Sequence, residues 1–266
     1  MNVFDDIVKE MEETASNQAS YGLKGGLMGV VLFFMYYQRF TENKQYEDFT
    51  YTLLENILSE VSVNDFYDYA NGIIGIGRTL LFLKEERFID IDSDDFFNDL
   101  DKIVLRKLNS NIIVNFSHDT GVIGLCRYAL HRPVKMNAIR NTLYHLIKGF
   151  EKAIYDINPV FLFPSEILKD IKLLLLEIAG VEEISEQITT LNQVIEYFEK
   201  NNSILKSNCP DYTAIQQLRE AEICNNKKKI ELLLATISKE SPEAVLRGLA
   251  YMNREKSSLP SWWKLF

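Results

Sequence analysis

The sequence predicts an all-α fold made of helix pairs that repeat every 46–49 residues, and three observations carry that reading. Gly-x-x-Gly segments align without gaps at Gly26 and Gly29, at Gly72 and Gly75, and at Gly121 and Gly124, using six of the twelve glycines. The stretches between them place apolar residues with the period of a helix rather than a strand. Only six prolines occur in 266 residues and none precedes Pro133, so long helices meet no break in the first half. A repeat of this length is that of a helix pair.

Each glycine pair is expected to open a helix. Asn71 and Thr120 stand before their glycines, where a side-chain oxygen can accept from the first-turn N–H groups. Glycines three apart share one helical face, and each costs up to about 1 kcal/mol against alanine inside a helix. Close backbone approach at a crowded centre is the expected compensation for all six, Gly26, Gly29, Gly72, Gly75, Gly121 and Gly124. The three helices are apolar almost all round, which predicts burial on most sides. Residues 47–61, 93–108 and 137–154 alternate with them and are amphipathic; 93–108 also carries an acidic first turn and a basic last turn that suit the helix dipole.

The second half keeps the rhythm and loses the glycines. Residues 167–180 read as a buried helix closed by Gly180, followed by an amphipathic stretch at 181–200 and a loop at 201–210. Helices are expected at about 212–224, 227–238 and 242–254. The whole chain, 1–266, reads as one domain: well-patterned repeats over 1–155 and degenerate repeats over 156–266. Periodicity alone leaves both a closed ring and an open, capped stack available.

Composition narrows the class. Hydrophobic residues make up 47%, enough to fill a core. Lys and Arg total 29 against 38 Asp and Glu, a formal charge of -9, which argues against nucleic acid as the partner and suits a basic peptide or protein. Three cysteines, Cys126, Cys209 and Cys224, do not suggest a disulfide scaffold. The first residues form no secretory signal, and the most apolar run, 27–37, falls short of the roughly 18–20 residues that span a bilayer. The expected location is cytoplasmic, with no membrane insertion.

The glycine helices, together with the phrase Phe-Leu-Lys-Glu-Glu-Arg-Phe-Ile-Asp at 82–90 and its acidic continuation to Asp101, resemble the lanthionine synthetase C-like (LanC-like) family. Residues 116–124 resemble the third glycine helix of that family, and 246–251 with 261–266 resemble its last inner helix and closing segment more weakly. The resemblance is good over about 20–130. It implies an α/α toroid, here an incomplete or degenerate ring of inner and outer helices. It also implies kinship with enzymes that close thioether rings in ribosomally made peptides, using a zinc ion held by one cysteine before a Gly-x-x-Gly and an adjacent Cys-His before another.

The chain departs from that pattern. It contains no Cys-Gly-x-x-Gly and no Cys-His pair. Cys126 follows its glycines, Cys209 and Cys224 have no histidine beside them, and His118, His131 and His145 all precede the segment where the family's ligands fall. An aspartate that family cyclases place four residues before a glycine pair is Ser117 here. The chain is short, and the later glycine helices are eroded. The expectation is a LanC-like protein with no zinc, no cofactor and no ring-closing activity.

Candidate site residues cluster before the glycines. His118 and Asp119 precede Gly121 and form either an acid–base pair lining a cleft or a helix cap with a surface histidine. Asp68 and Asn71 precede Gly72 in the same way. Arg78 and Arg127 each stand six residues after a first glycine; a cation on a buried helix needs a partner, either an internal carboxylate or that of a bound peptide. Asp90, Asp92, Asp94 and Asp95 suggest a calcium loop, but the sixth position is Asp95 where glycine is required and the twelfth is Asp101, so a carboxylate-rich helix start explains them better. Cys126 reads as an apolar filler, and Trp262 and Trp263 as a tail docked on the core.

The expected function is therefore a zinc-free accessory or binding module in ribosomal peptide modification, gripping a precursor peptide or a modifying enzyme where the glycine helices start. One alternative is an α/α-toroid enzyme acting on a carbohydrate or peptide through carboxylates such as Asp68 and Asp119 at the helix mouths. Another is a structural scaffold, favoured if the C-terminal tail fills the mouth.

Overall fold

The three glycine segments do open buried helices, and the means by which they do so organises the rest. The computed structural model describes residues 3–17, 20–62, 67–90, 94–110, 115–155, 165–201, 210–241 and 243–265. Among them it is all-helical, with twelve α-helices: α1 Val3–Asn17, α2 Leu27–Thr41, α3 Glu47–Glu60, α4 Ile73–Glu85, α5 Asp94–Leu108, α6 Val122–Ala129, α7 Lys135–Tyr155, α8 Ser165–Glu177, α9 Ser185–Asn201, α10 Pro210–Ile223, α11 Lys227–Glu240 and α12 Ala244–Glu255. Helix α1 is not among the expected elements. Its signal is the stripe Phe4, Ile7, Val8 and Met11, spaced i, i+3, i+4, i+7 and buried throughout.

Buried and amphipathic helices alternate as the inner and outer helices of an α/α toroid do. Every residue of α2 from Leu27 to Tyr36 and of α4 from Ile73 to Leu83 is buried. The intervening α3 buries only Thr50, Leu53, Leu54 and Ile57, one stripe of a helix whose other face is in water. In α5 the buried positions are Phe97, Leu100, Asp101, Ile103, Val104 and Leu108. Burying an aliphatic or aromatic side chain of this size contributes about 1.5–3 kcal/mol, so the inner helices, apolar on all sides, dominate the core.

The chain divides into two compact units, Met1–Ser93 with Pro210–Phe266, and Asp94–Cys209. In the first, α2 packs against α1, α3, α4 and α12, and α11 lies between α10 and α12. In the second, α6 packs against α5, α7 and α8, while α9 packs on α7 and α8.

The expected caps are corrected. The N-caps of α2, α4 and α6 are the glycines themselves, Gly26, Gly72 and Gly121, in extended backbone and with no side-chain cap bond. Asn71 and Thr120 serve the preceding loops instead. The first helical N–H groups are satisfied by the loop doubling back: Leu27 N donates to Ser20 O (2.9 Å) and Val122 N to Asn115 O (3.1 Å), the same seven-residue step in two repeats.

The reason for the glycines is corrected too. A Cβ on Gly29 would stand 2.6 Å from the carbonyl oxygen of Leu23, and one on Gly75 would collide with that of Tyr69. Each lies six residues after the carbonyl that crowds it. In these two pairs the second glycine thus admits a loop to its own helix rather than one central helix to another. The loop also presses on the first glycine of two pairs: a Cβ on Gly26 would meet the backbone of Gly22, and one on Gly121 would stand 2.5 Å from Asn115 O and 2.7 Å from Ser117 O. The second glycine of the third pair, Gly124, is buried on the first turn of α6, as an inner-helix position should be. Close approach between helices occurs instead at Gly248 of α12, where a Cβ would strike the Phe33 ring of α2. The backbone of Gly22 abuts Asn71, and Lys24 N donates to Ala70 O (2.8 Å), so the loops before α2 and α4 are joined.

The second half follows the expected rhythm with shifted ends. Helix α8 stops at Glu177, and Gly180 ends the turn beyond it. Helix α11 starts with Lys227, Lys228 and Lys229 after the N-cap Asn226, whose side chain accepts from Lys229 N (3.1 Å). Cations at the positive end of a helix dipole each cost about 0.3–1 kcal/mol.

Candidate functional site

The loop before α6 is a closed network of side chains. Asn115 Oδ1 accepts from Ser117 N (2.9 Å), its Nδ2 donates to Thr120 Oγ1 (2.7 Å), and Ser117 Oγ accepts from Thr120 N (3.1 Å). His118 lies inside this loop with its ring fully buried, Nδ1 3.0 Å from Asp119 Oδ1. The two residues singled out from the sequence are thus in contact. Asp119 keeps about two-fifths of its side chain exposed while the imidazole faces the interior.

Asp68 holds the corresponding loop before α4: its Oδ1 accepts from the backbone N–H of Asn71 (2.6 Å). The amide nitrogen of Asn71, in the orientation that satisfies it, donates to Ala70 O (3.3 Å) and to Lys24 O. Asn71 therefore ties one glycine loop to another. Asp68 and Asp119 belong to different units. Each is engaged by its own loop.

The two arginines are buried and ion-paired. Arg78 is 2% exposed, with Nη1 3.5 Å from Glu85 Oε2 two turns along α4 and its guanidinium 5.9 Å from the Phe82 ring centroid. Arg127 meets Glu177 of α8 at 3.1 Å. Equivalent in the repeat, they use different carboxylates, 7 and 50 residues away. The first is within reach of helical spacing; the second is not.

The described thiols and imidazoles stand apart from one another. Cys126 is buried; burial pushes its thiol up to about 12, against a smaller opposing effect of the Thr142 hydroxyl. His145 Nε2 donates to Leu108 O (2.7 Å) at the end of α5. His118 stands against Asp119, while His131 and Cys224 are exposed. Cys209 and Asp92 lie outside the described residues. Among the described residues no three His, Cys, Asp or Glu side chains converge. The described donors, with Cys126 enclosed and Cys224 exposed, do not form a Cys/Cys/His set. Asp94 and Asp95 occupy the first turn of α5, where carboxylates complement the dipole.

The burial of Cys126 has a measurable consequence. At pH 8 a thiol with this shift is thiolate in about one molecule in ten thousand. In the folded protein Cys126 will resist maleimide while Cys224 reacts, and both will react in denaturant, as read by peptide mass mapping. Comparable labelling of the two in the native state would contradict the packing described.

The tail docks as expected. Trp262, Trp263 and Leu265 are buried, and Trp263 Nε1 donates to Glu222 Oε2 (2.7 Å) of α10. Tyr36 OH donates to Pro260 O (2.9 Å), and Asn253 Nδ2 donates to Leu259 O and Pro260 O (both 3.1 Å). Tyr36 lies nearly three turns along α2 from Gly26, so this anchorage is remote from the glycine start.

Residues 3–121 match the model of a family described as Lanthionine synthetase C-like protein. The match runs from α1 through α5 and ends at Gly121, on the third glycine start and three residues short of Gly124. No curated protein and no solved structure matches the chain. No described helix is long and apolar enough to cross a membrane.

Proposed function

We propose that this chain, a member of the lanthionine synthetase C-like family through its residues 3–121, is a peptide-binding accessory module in a lanthipeptide-like maturation system and not a zinc-dependent cyclase. In the family's chemistry, zinc bound to a substrate thiol stabilises the thiolate that adds to a dehydrated residue. That task needs thiolate and imidazole ligands at a surface a peptide can reach.

What supports the reading is the commitment of those groups to other work. Cys126 is enclosed with Thr142 beside it, His145 is spent on the Leu108 carbonyl, and His118 is shut in its loop against Asp119. The frame that supports them is the glycine-started helix repeat of the family. On this reading the frame is kept to hold a peptide, without the means to activate a thiol.

The test is a paired measurement on the purified full chain. Metal analysis is expected to find zinc far below one ion per chain. Incubation with a peptide bearing cysteine and dehydrated serine is expected to leave the rate of free-thiol loss at that of the buffer control. Stoichiometric zinc together with accelerated thioether formation would overturn the proposal.

A further inference from the structure

We propose that the seat filled by residues 259–265, among α2, α10 and α12, is a peptide-binding seat that the chain closes with its own strap, and that a segment with adjacent aromatic side chains displaces the strap from it. This rests on the peptide-binding reading above and names where and what is bound. The first observation is how the strap is held. Helix α12 ends at Glu255, and residues 256–261 run on outside any helix, within the first unit. Tyr36 of α2 donates to Pro260 O, and Asn253 of α12 donates to both Leu259 O and Pro260 O. Side chains that take the carbonyls of a non-helical segment, beside places for its apolar side chains, are a means by which proteins grip peptides.

The second observation is the chemistry that the seat accepts. Leu259, Trp262, Trp263 and Leu265 are buried in it, while Ser257 and Ser258 before them are exposed. Glu222 of α10 accepts from the Trp263 indole N–H (2.7 Å), a contact that singles out an aromatic ring carrying a donor. The fitting occupant is an apolar segment with paired aromatic rings, one of them an indole.

The third observation is that the strap is an imperfect occupant. Asn253 is 6% exposed, and among the described residues no donor reaches its Oδ1. Pro260, whose carbonyl the same amide holds, has no N–H to give. A buried acceptor left unpaired is costly, and a segment with an N–H within its reach removes that cost. The burial of the strap's four apolar side chains is also set against the ordering of the residues that carry them. These opposing quantities are of similar size, so the strap is held without a large margin.

The experiment uses the full chain and two readouts. Both tryptophans of the sequence lie in the strap, so their emission reports its position. In urea, wild-type emission is expected to shift to the red before helical circular dichroism falls. Coincident transitions would make the strap part of the cooperative core and overturn the proposal. The second readout is the anisotropy of a labelled peptide with the sequence of residues 257–265. W262S/W263S, whose strap no longer competes, is expected to bind it about tenfold more tightly than the wild type. Adding E222Q to that variant is expected to weaken binding several-fold, and a peptide with serine for both tryptophans is expected not to bind. Equal binding to wild type and W262S/W263S, no binding to either, or loss of helical circular dichroism in W262S/W263S would each overturn the seat. A wild-type dimer that the peptide dissociates would assign it to the strap of a second copy and overturn it equally. Zinc content and thiol loss do not depend on the strap, so failure here and failure of the non-cyclase reading are told apart.

Discussion

Replacing Gly75 with alanine will destabilise the protein by about 3 kcal/mol or more, as measured by urea denaturation followed by helical circular dichroism. The reason is positional. Gly75 is the second glycine of its pair, on the first turn of α4, and the carbonyl of Tyr69 sits where its Cβ would be. That oxygen belongs to backbone, in a loop held by the Asp68–Asn71 turn and by Lys24 N on Ala70 O. It cannot swing aside as a flexible side chain would. Relief requires lifting the loop from the helix, which loosens the junction with the loop before α2. Two other glycines give the scale. Gly180 has open space about its Cβ direction, so Gly180→Ala should be neutral or slightly stabilising, within about 1 kcal/mol. Gly25 also has open space but a φ of +66°, so alanine there should cost about 1 kcal/mol from backbone conformation alone. If Gly75→Ala melts with the wild type, the loop does not press on the helix as described.

The same contrast shows what the sequence disclosed. Helix α4 is legible because its residues are apolar in every direction, which only a buried helix explains, and α3 because one face is apolar and the rest charged. Both are local properties. The meaning of the glycine pairs is only half legible. Their spacing announces a helix start, but the atom that demands the missing Cβ at Gly29 and Gly75 is the carbonyl six residues earlier, and nothing in Leu23 or Tyr69 as residue types marks them for that place. Nor does the spacing say that at Gly26 and Gly121 the loop would press on the first member. His118 and Asp119 can be paired by adjacency, whereas the burial of the imidazole depends on how the loop folds under Asn115 and Thr120. Arg127 is recognisable as a cation needing a partner, and Glu177 is not recognisable as that partner, because the pair closes across two helices distant in sequence. Phe4, Ile7, Val8 and Met11 carry a plain helical period, masked by the acidic residues set among them.

The second large effect is expected at Asp101, whose replacement by alanine should cost about 3 kcal/mol. Asp101 lies on the buried side of α5 and joins that outer helix to the segment around α6. Tyr128 OH donates to its Oδ1 (3.0 Å), Arg132 Nε reaches both oxygens at 3.1 Å, and Arg132 Nη2 reaches Oδ2 at 3.0 Å. The guanidinium also sits 5.0 Å from the Phe97 ring centroid. Removing the carboxylate strands a mostly buried guanidinium and leaves a fully buried phenol with only the longer bond to Phe97 O (3.4 Å). Tyr128→Phe should cost only about 1 kcal/mol, because the Asp101–Arg132 pair survives it. Asp101→Asn should fall between, keeping an acceptor for Tyr128 and losing the charge that Arg132 needs. The ordering discriminates better than any one value: if the pair governs, alanine exceeds asparagine and asparagine exceeds Tyr128→Phe in urea midpoints at constant m-value. If packing alone governed, Tyr128→Phe and Asp101→Asn, both nearly isosteric, would leave the midpoint unmoved. A variant replacing all three with apolar residues of similar volume should recover most of the loss, since the penalty of the single substitution lies in the charge left behind rather than in the net strength of the buried pair.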